Sequence, residues 1–252
     1  SVFWFQMAAK IEQSTLAWLD NNQNNNNGLK VFLGDLSVSG FPYRIIVKAS
    51  SLKASVPSGQ YFSFPIAISA PEVSVVYHPW KPNHAMIVTD YFDIIMGGID
   101  NPDENIAFEN VKSSVILEPD SLKLNNLSIM SDKISWFAGV TIKADEISIM
   151  EKPEFHFRKS IAGSGTENGY DLPVFGAIFF KAQNVELKDI RAGIFANKPA
   201  EFKLESILHS NDNPEWTVQA LSKWRDDGGT LSISSFDYKT DGYNLNLNGD
   251  VT

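Results

Sequence analysis

From Leu29 to the end of the chain, apolar residues recur at every second position in short runs, and this pattern constrains the fold more than any other feature. Leu29, Val31 and Leu33 alternate with other residues, as do Tyr43, Ile45, Val47 and Ala49, and then Val73, Val75 and Tyr77. A period of two places alternate side chains on opposite faces of an extended strand. The runs are bounded by Gly, Pro, Asn and Asp, which favours antiparallel meanders over strand-helix-strand units.

Two helices interrupt this pattern. Trp4, Ala8, Ile11, Leu16, Trp18 and Leu19 approximate a helical stripe that Lys10, Glu12 and Gln13 fall off, so residues 3–20 read as an amphipathic helix. Asn21 to Gly28 is polar, low in complexity and loop-like. Near the end, Asn213-Pro214-Glu215 announces a second helix that runs through Trp216, Ala220 and Trp224 and stops at Gly228-Gly229. Thr230 to Tyr238 and Tyr243 to Val251 then form a terminal hairpin around Thr240-Asp241-Gly242. The expected fold class is mainly β (β-rich α+β): an elongated, curved antiparallel sheet with an N-terminal amphipathic helix and one short helix in the C-terminal region. Residues 29–252 make one β-rich domain, with a division into two sub-domains near 100–105 as the alternative.

A degenerate repeat runs through Leu122 to Ile129, Ile142 to Ile149 and Phe180 to Leu187. Each copy has an apolar residue, Lys, a small or apolar residue, two polar residues, and then apolar-polar-apolar. Its physical meaning is a strand bent or bulged at the paired polar residues and used repeatedly to curve a sheet.

Composition removes several classes of function. The 252 residues are 43% hydrophobic, enough for a substantial core, and 30 acidic residues outnumber 21 basic ones. With no basic stripe, a nucleic-acid partner is not expected. The absence of cysteine excludes disulfides, thiolate metal sites and a cysteine nucleophile. No stretch approaches the roughly 18 to 20 apolar residues that cross a bilayer; the longest dense patch, Val174 to Phe180, is interrupted by Gly176. Val2-Phe3-Trp4-Phe5 reads either as the remainder of a removed membrane anchor or signal segment, or as an aromatic helix end packed on the domain. The strand-like pattern running into Asp250-Val251-Thr252 carries the expectation that the full protein continues beyond it.

No motif announces catalysis. His78 and His84 bracket Pro79 to Asn83 at a spacing that matches no zinc signature, and the other histidines, His156 and His209, are distant in sequence. Asp100 to Glu104 concentrates oxygen atoms without the ligand spacing of a calcium loop, and Ala162 to Gly169 is glycine-rich without a phosphate-loop ending. No Gly-x-Ser-x-Gly elbow is present, and no pair among the 30 acidic residues stands out as a glycosidase pair. No catalytic residue, metal site or cofactor is therefore expected.

The aromatic content is more informative, with 17 Phe and six Trp. Phe62, Phe64, Phe155, Phe157, Phe179 and Phe180 lie in or beside strands. Ala177-Ile178-Phe179-Phe180 and Ile94-Ile95-Met96 are apolar on both faces, which a one-sided sheet in water does not need. A second apolar face has to be covered by protein, membrane or lipid. Phe62, Phe64, Phe155, Phe157 and Phe179 are the candidate ligand-facing side chains.

Ser39-Gly40-Phe41-Pro42-Tyr43-Arg44-Ile45, followed by Tyr77-His78-Pro79-Trp80-Lys81-Pro82-Asn83-His84, resembles the bacterial envelope family known as domain of unknown function 2125. The helix carrying Trp224, leading through Asp227-Gly228-Gly229-Thr230-Leu231 into two strands, and the Phe3-Trp4 helix fit the same family. Gly40 permits an unusual turn, Pro42 fixes φ, and Arg44 can hold a carboxylate or backbone oxygens, so Gly40, Phe41, Pro42, Arg44, Trp80, Pro82, His84, Trp224, Gly228 and Gly229 read as a structural signature. The resemblance implies a periplasmic protein tethered to the inner membrane of a Gram-negative bacterium by an anchor outside this chain. More distantly, the curved strands resemble those of AsmA-like envelope proteins, whose β grooves are associated with lipid handling. The leading expectation is a non-enzymatic protein whose sheet presents an apolar concave face to a lipid or other amphiphile. The alternatives are an assembly factor that binds another envelope protein and, third, a hydrolase of envelope material.

Overall fold

The computed structural model describes residues 2–23, 28–59, 64–97, 104–121, 123–138, 147–160, 173–188, 199–210 and 218–251. Helix α1 (Val2–Gln23) precedes strands β1 (Lys30–Phe32), β2 (Leu36–Ser39), β3 (Ile45–Val56), β4 (Ile66–His78), β5 (Lys81–Met96) and β6 (Glu104–Leu117). There follow β7 (Leu124–Met130), β8 (Lys133–Ala138), β9 (Ser148–Lys159), β10 (Val174–Glu186) and β11 (Ala200–His209). Helix α2 (Val218–Asp226) leads into β12 (Thr230–Lys239) and β13 (Asn244–Val251).

The strands form one antiparallel sheet whose order follows the chain from β1 to β13. β1 and β2 share one edge of β3, while β7 and β8 together fill one strand position between β6 and β9. The sequence-local order is what period-two runs joined by turn residues predict. β5 and β6, which flank the suggested sub-domain division, pair in one register from His84↔Ile116 to Met96↔Glu104. The division itself, the Asp100 to Asp103 turn, the Ala162 to Gly169 loop, the Asn213 to Glu215 cap, Trp216 and the polar pair of the middle repeat lie outside the described residues.

A row of backbone irregularities crosses the sheet. In β3 the apolar series Ile45, Val47, Ala49 resumes at Leu52, three residues on, and in β4 Ala70 is followed by Val73. The same step separates Phe108 from Val111, Met150 from Pro153 and Ala182 from Val185. Four of these steps contain a non-glycine residue in the left-handed region: Ser51, Asn110, Lys152 and Asn184, with φ of 51°, 52°, 46° and 44°. None of the four occupies a place in the cross-strand register. A three-residue step would put the flanking apolar side chains on opposite faces of an unbroken pleat. The inserted left-handed residue bends the strand and resets the phase. Helix α1 marks the result, because it packs on β1, β2 and β3 and lies against Ile45 and Val47 above the row. Below the row, Val31 of β1, opposite Ala54, is buried too. Repeat copies one and three show the expected bulge: Asn125 is skipped between Ile116↔Asn126 and Leu117↔Leu124, and Asn184 is the left-handed residue of β10.

Buried hydroxyls hold this row. Thr89 Oγ1 donates to the carbonyls of Glu72 and Tyr91, at 2.7 and 2.8 Å. Ser131 repeats the device one strand pair later, bonding the carbonyls of Glu109 and Lys133 at 2.6 and 2.9 Å. Replacing Ser131 by alanine removes both bonds at a buried position and is expected to cost about 1–3 kcal/mol, read as a lower urea midpoint at unchanged m. Replacing Ser121, on an exposed turn, is expected to cost less than about 0.5 kcal/mol; equal losses at the two sites would refute the assignment.

Two small cores lie at opposite ends of the sheet. Trp4 and Ala8 of α1 bury against Ile45 and Val47, with Met7, Ile11, Leu36, Val38, Val75 and Tyr77 around them. The helix buries residues 4, 8 and 19; Leu16 and Trp18, assigned to the stripe from sequence, are half exposed because the true period runs 4, 8, 11, 15, 19. At the other end Phe157, Phe175 and Leu208 pack with Trp224. The chain exposes 15461 Å², well above the roughly 11,000 Å² of a compact protein of this mass, as a largely single-layered sheet requires.

Candidate binding face

Cross-strand registers turn the sequence pattern into a surface. Above the row of left-handed residues, one line reads Val47, Val75, Ile87, Ser113, Ile129, Phe155, Phe180, Leu204, Phe236 and Leu247 across ten strands. Strands lie about 4.8 Å apart, so this nearly unbroken apolar line is roughly 43 Å long. Below the row, Ala54, Ile68, Ile94, Ile106 and Trp136 form a parallel line, and Phe92, Phe108, Ile134 and Met150 another. Phe92 and Phe108 stack with ring centroids 4.3 Å apart and planes 4° from parallel. Helix α1 covers the β1–β3 end and Trp224 covers part of the β9–β12 end. Among the described residues, Val75 and Tyr77 of β4 border the α1 core and Leu124 and Leu127 of β7 border the second, and β5, β6 and β8 contribute to neither.

The other face is polar. Moving one residue along each strand gives Lys48, Ser74, Val88, Lys112, Met130, Glu154, Lys181, Lys203, Asp237 and Asn246. Its charges satisfy one another: Lys48 with Glu72 at 2.6 Å, Lys181 with Glu154 at 3.0 Å, Lys203 with Glu205 at 2.9 Å. The hydrogen bond from Lys181 holds the Glu154 carboxyl below its ordinary pKa, and Glu205 holds the Lys203 ammonium above its own. Ser235 and Asn246 do the same for Asp237, lowering it. A cavity of about 550 Å³ over β10–β13 lies on this side, lined by Lys181, Gln183, Glu201, Lys203, Asp237 and Lys239 among others. Ala182, Phe202, Tyr238 and Leu245 line it as well, so the cavity joins charged groups to apolar surface.

The candidate ligand-facing phenylalanines fall in different environments. Phe155 is half-buried on the apolar face beside the second core. Phe157 is sealed in that core at 4% exposure, so it serves packing and is not available to a ligand. Phe179 points to the polar face, because it alternates with Phe180, and its ring sits 5.7 Å from that of His156. Phe64 precedes β4 and is exposed, while Phe62 lies outside the described residues. The lower lines, through Phe92, Phe108, Ile94 and Trp136, lie outside the candidates that alternation alone suggests. Their signal in the sequence is the three-residue apolar step.

The signature residues divide by role. Gly40 has φ of +99° and an added Cβ would stand 2.8 Å from the Arg44 carbonyl; the Arg44 amide donates back to the Gly40 carbonyl at 3.1 Å. Trp4 Nε1 donates to the Arg44 carbonyl at 2.8 Å, fastening α1 to this turn. Phe41 and Trp80 are exposed, Arg44 and Pro82 lie at the surface, and the Arg44 side chain holds no carboxylate among the described residues. His84 Nε2 lies 2.9 Å from Ser114 Oγ, whereas His78 contacts the Trp80 ring and His156 contacts Ser128. The histidines thus go to separate neighbours, and no group of three His, Asp or Glu side chains placed to hold a metal occurs among the described residues. Gly228 and Gly229 end α2: Gly228 N bonds the Arg225 carbonyl at 3.0 Å and Gly229 N the Trp224 carbonyl at 2.8 Å.

The model of the family domain of unknown function 2125, described as an uncharacterized protein conserved in bacteria, matches residues 4–252. The chain belongs to this family. The Gly40 turn and the Trp224 helix end, fastened by Trp4 and by Trp224 Nε1 to the His209 carbonyl, are the parts of this domain of unknown function 2125 that join helix to sheet. No curated protein and no solved structure matches the chain. No helix among the described residues is long and apolar enough to cross a membrane.

Proposed function

We propose that the chain is a non-enzymatic protein of the bacterial envelope that holds a lipid or similar amphiphile along the apolar face of its sheet. One observation carries this: ten strands contribute to a nearly unbroken apolar line, α1 covers one end and Trp224 part of the other, and the opposite face one residue away is charged and internally paired. An apolar surface of this extent needs a cover, and an extended hydrocarbon chain lying across the strands matches its length and chemistry. A periplasmic setting, with a tether to the inner membrane outside this chain, belongs to the same proposal and follows the family resemblance. An AsmA-like lipid-handling role is its fold-level extension.

The test is native mass spectrometry, with lipid extraction, of the chain purified from a bacterial envelope host. A phospholipid or similar amphiphile is expected to co-purify and to survive gentle desolvation. A bare mass that persists after incubation with envelope lipid extract would overturn this function and pass the apolar face to a protein partner.

A further inference from the structure

The exposed aromatic side chains gather at one end of the sheet. Ile45↔Tyr77 is the last rung before the β2–β3 and β4–β5 turns, so Tyr43 and Trp80 leave the sheet at the same end of neighbouring strands. They are 73% and 60% exposed. The start of α1 is brought to the same place by the Trp4 bond to Arg44, and there Phe5, 60% exposed, stacks on Phe41, 50% exposed, with centroids 5.5 Å apart. These four exposed rings are not a core: the buried Trp4 touches Phe5 and Phe41, and three segments distant in sequence supply the four.

Charge separates this end from the rest of the molecule. Residues 2–11, 36–47 and 73–89 contain no Asp or Glu, although the chain carries 30. They contribute Lys10, Arg44 and Lys81, all exposed. Neither Arg44 nor Lys81 is ion-paired among the described residues. The patch stops at the next turn, where Glu118 and Asp120 stand with Lys123 and Glu118 is paired to Lys159. An acidic protein with one basic, aromatic tip has the charge and the side-chain chemistry of an interfacial contact: Trp and Tyr favour the headgroup level, and basic groups favour an anionic leaflet. We propose that the tip formed by Phe5, Phe41, Tyr43, Arg44, Trp80 and Lys81 docks on the surface of an anionic phospholipid bilayer. This surface is separate from the apolar face and does not depend on what that face binds.

The probes are vesicles of phosphatidylcholine alone, or of equal parts phosphatidylglycerol and phosphatidylcholine, with and without brominated acyl chains. The chain is expected to sediment with the anionic vesicles, to show tryptophan quenching by the brominated ones, and to be released by salt. Arg44→Ala and Lys81→Ala should each weaken partitioning about fivefold. Trp80→Ala and Tyr43→Ala should weaken it as well and, in the first case, remove most of the quenching. These side chains are exposed, so the variants keep the far-ultraviolet circular dichroism of the parent. Equal association with both vesicles, or anionic binding that these variants leave unchanged, would overturn the proposal. Absence of vesicle binding together with a dimer that Trp80→Ala dissolves would assign the patch to a second copy of the chain, overturning it likewise.

Discussion

Replacing Gly229 by valine is expected to lower stability by about 2–4 kcal/mol, toward the low end of the range for losing a large aromatic side chain, because Trp224 is partly buried. A Cβ at this position would stand 2.2 Å from the Trp224 ring, so the indole has to leave its seat. That seat is the second core, where Trp224 lies against Phe157, Phe175 and Leu208 and its Nε1 donates to the His209 carbonyl at 2.8 Å. Displacing it uncovers apolar surface and removes a hydrogen bond together. Because both variants act on one contact, the effects should not add: Gly229→Val in a Trp224→Ala background should cost less than about 1 kcal/mol. Guanidinium unfolding followed by circular dichroism measures all three. Full additivity would mean that Gly229 matters through its own backbone and not through the indole above it.

The second large effect is on binding. Phe108→Asp is expected to weaken capture of a lipid by at least about tenfold, since each 1.4 kcal/mol is a factor of ten and an unpaired polar group under hydrocarbon costs more than that. Phe108 is half-buried, stacked on Phe92, in the line that continues to Ile134 and Met150. Lys112→Asp, four residues away and in the polar line, places the same charge on the opposite face and should leave capture unchanged. A fluorescent fatty-acid displacement assay on variants shown to be folded separates the two. Equal loss in both would point to global destabilisation or to electrostatic attraction, and no loss in either would remove the apolar face from the binding surface.

The antiparallel order, the terminal hairpin and the stop of α2 at Gly228 were legible because each rests on local chemistry: alternation, turn residues and a left-handed glycine. The bulges at Asn125 and Asn184 were legible in the repeat for the same reason. What alternation alone could not give was which face each phenylalanine joins. Phe157 lies two residues from Phe155 and Phe179 lies next to Phe180, yet Phe157 is sealed in the core and Phe179 sits on the polar side. The difference depends on counting phase from the nearest irregularity. The apolar step from Ala49 to Leu52, and again from Phe108 to Val111, held that information, and only pairing between strands showed that the steps align. The stripe of α1 was misphased at Leu16 and Trp18 because both residues are apolar, while the sheet beneath selects the turn ending at Leu19.

The aligned left-handed residues also define what lengths of chain this architecture can accept. A single residue inserted above or below the row in one strand would move its irregularity out of line and turn half of its apolar side chains to the charged face. A whole hairpin carrying its own step, inserted between neighbours, would preserve every line and widen the sheet by about 9.6 Å, two strand spacings. Growth of such a protein is therefore quantised: single residues are accommodated in the turns, and the sheet itself lengthens only by matched pairs of strands.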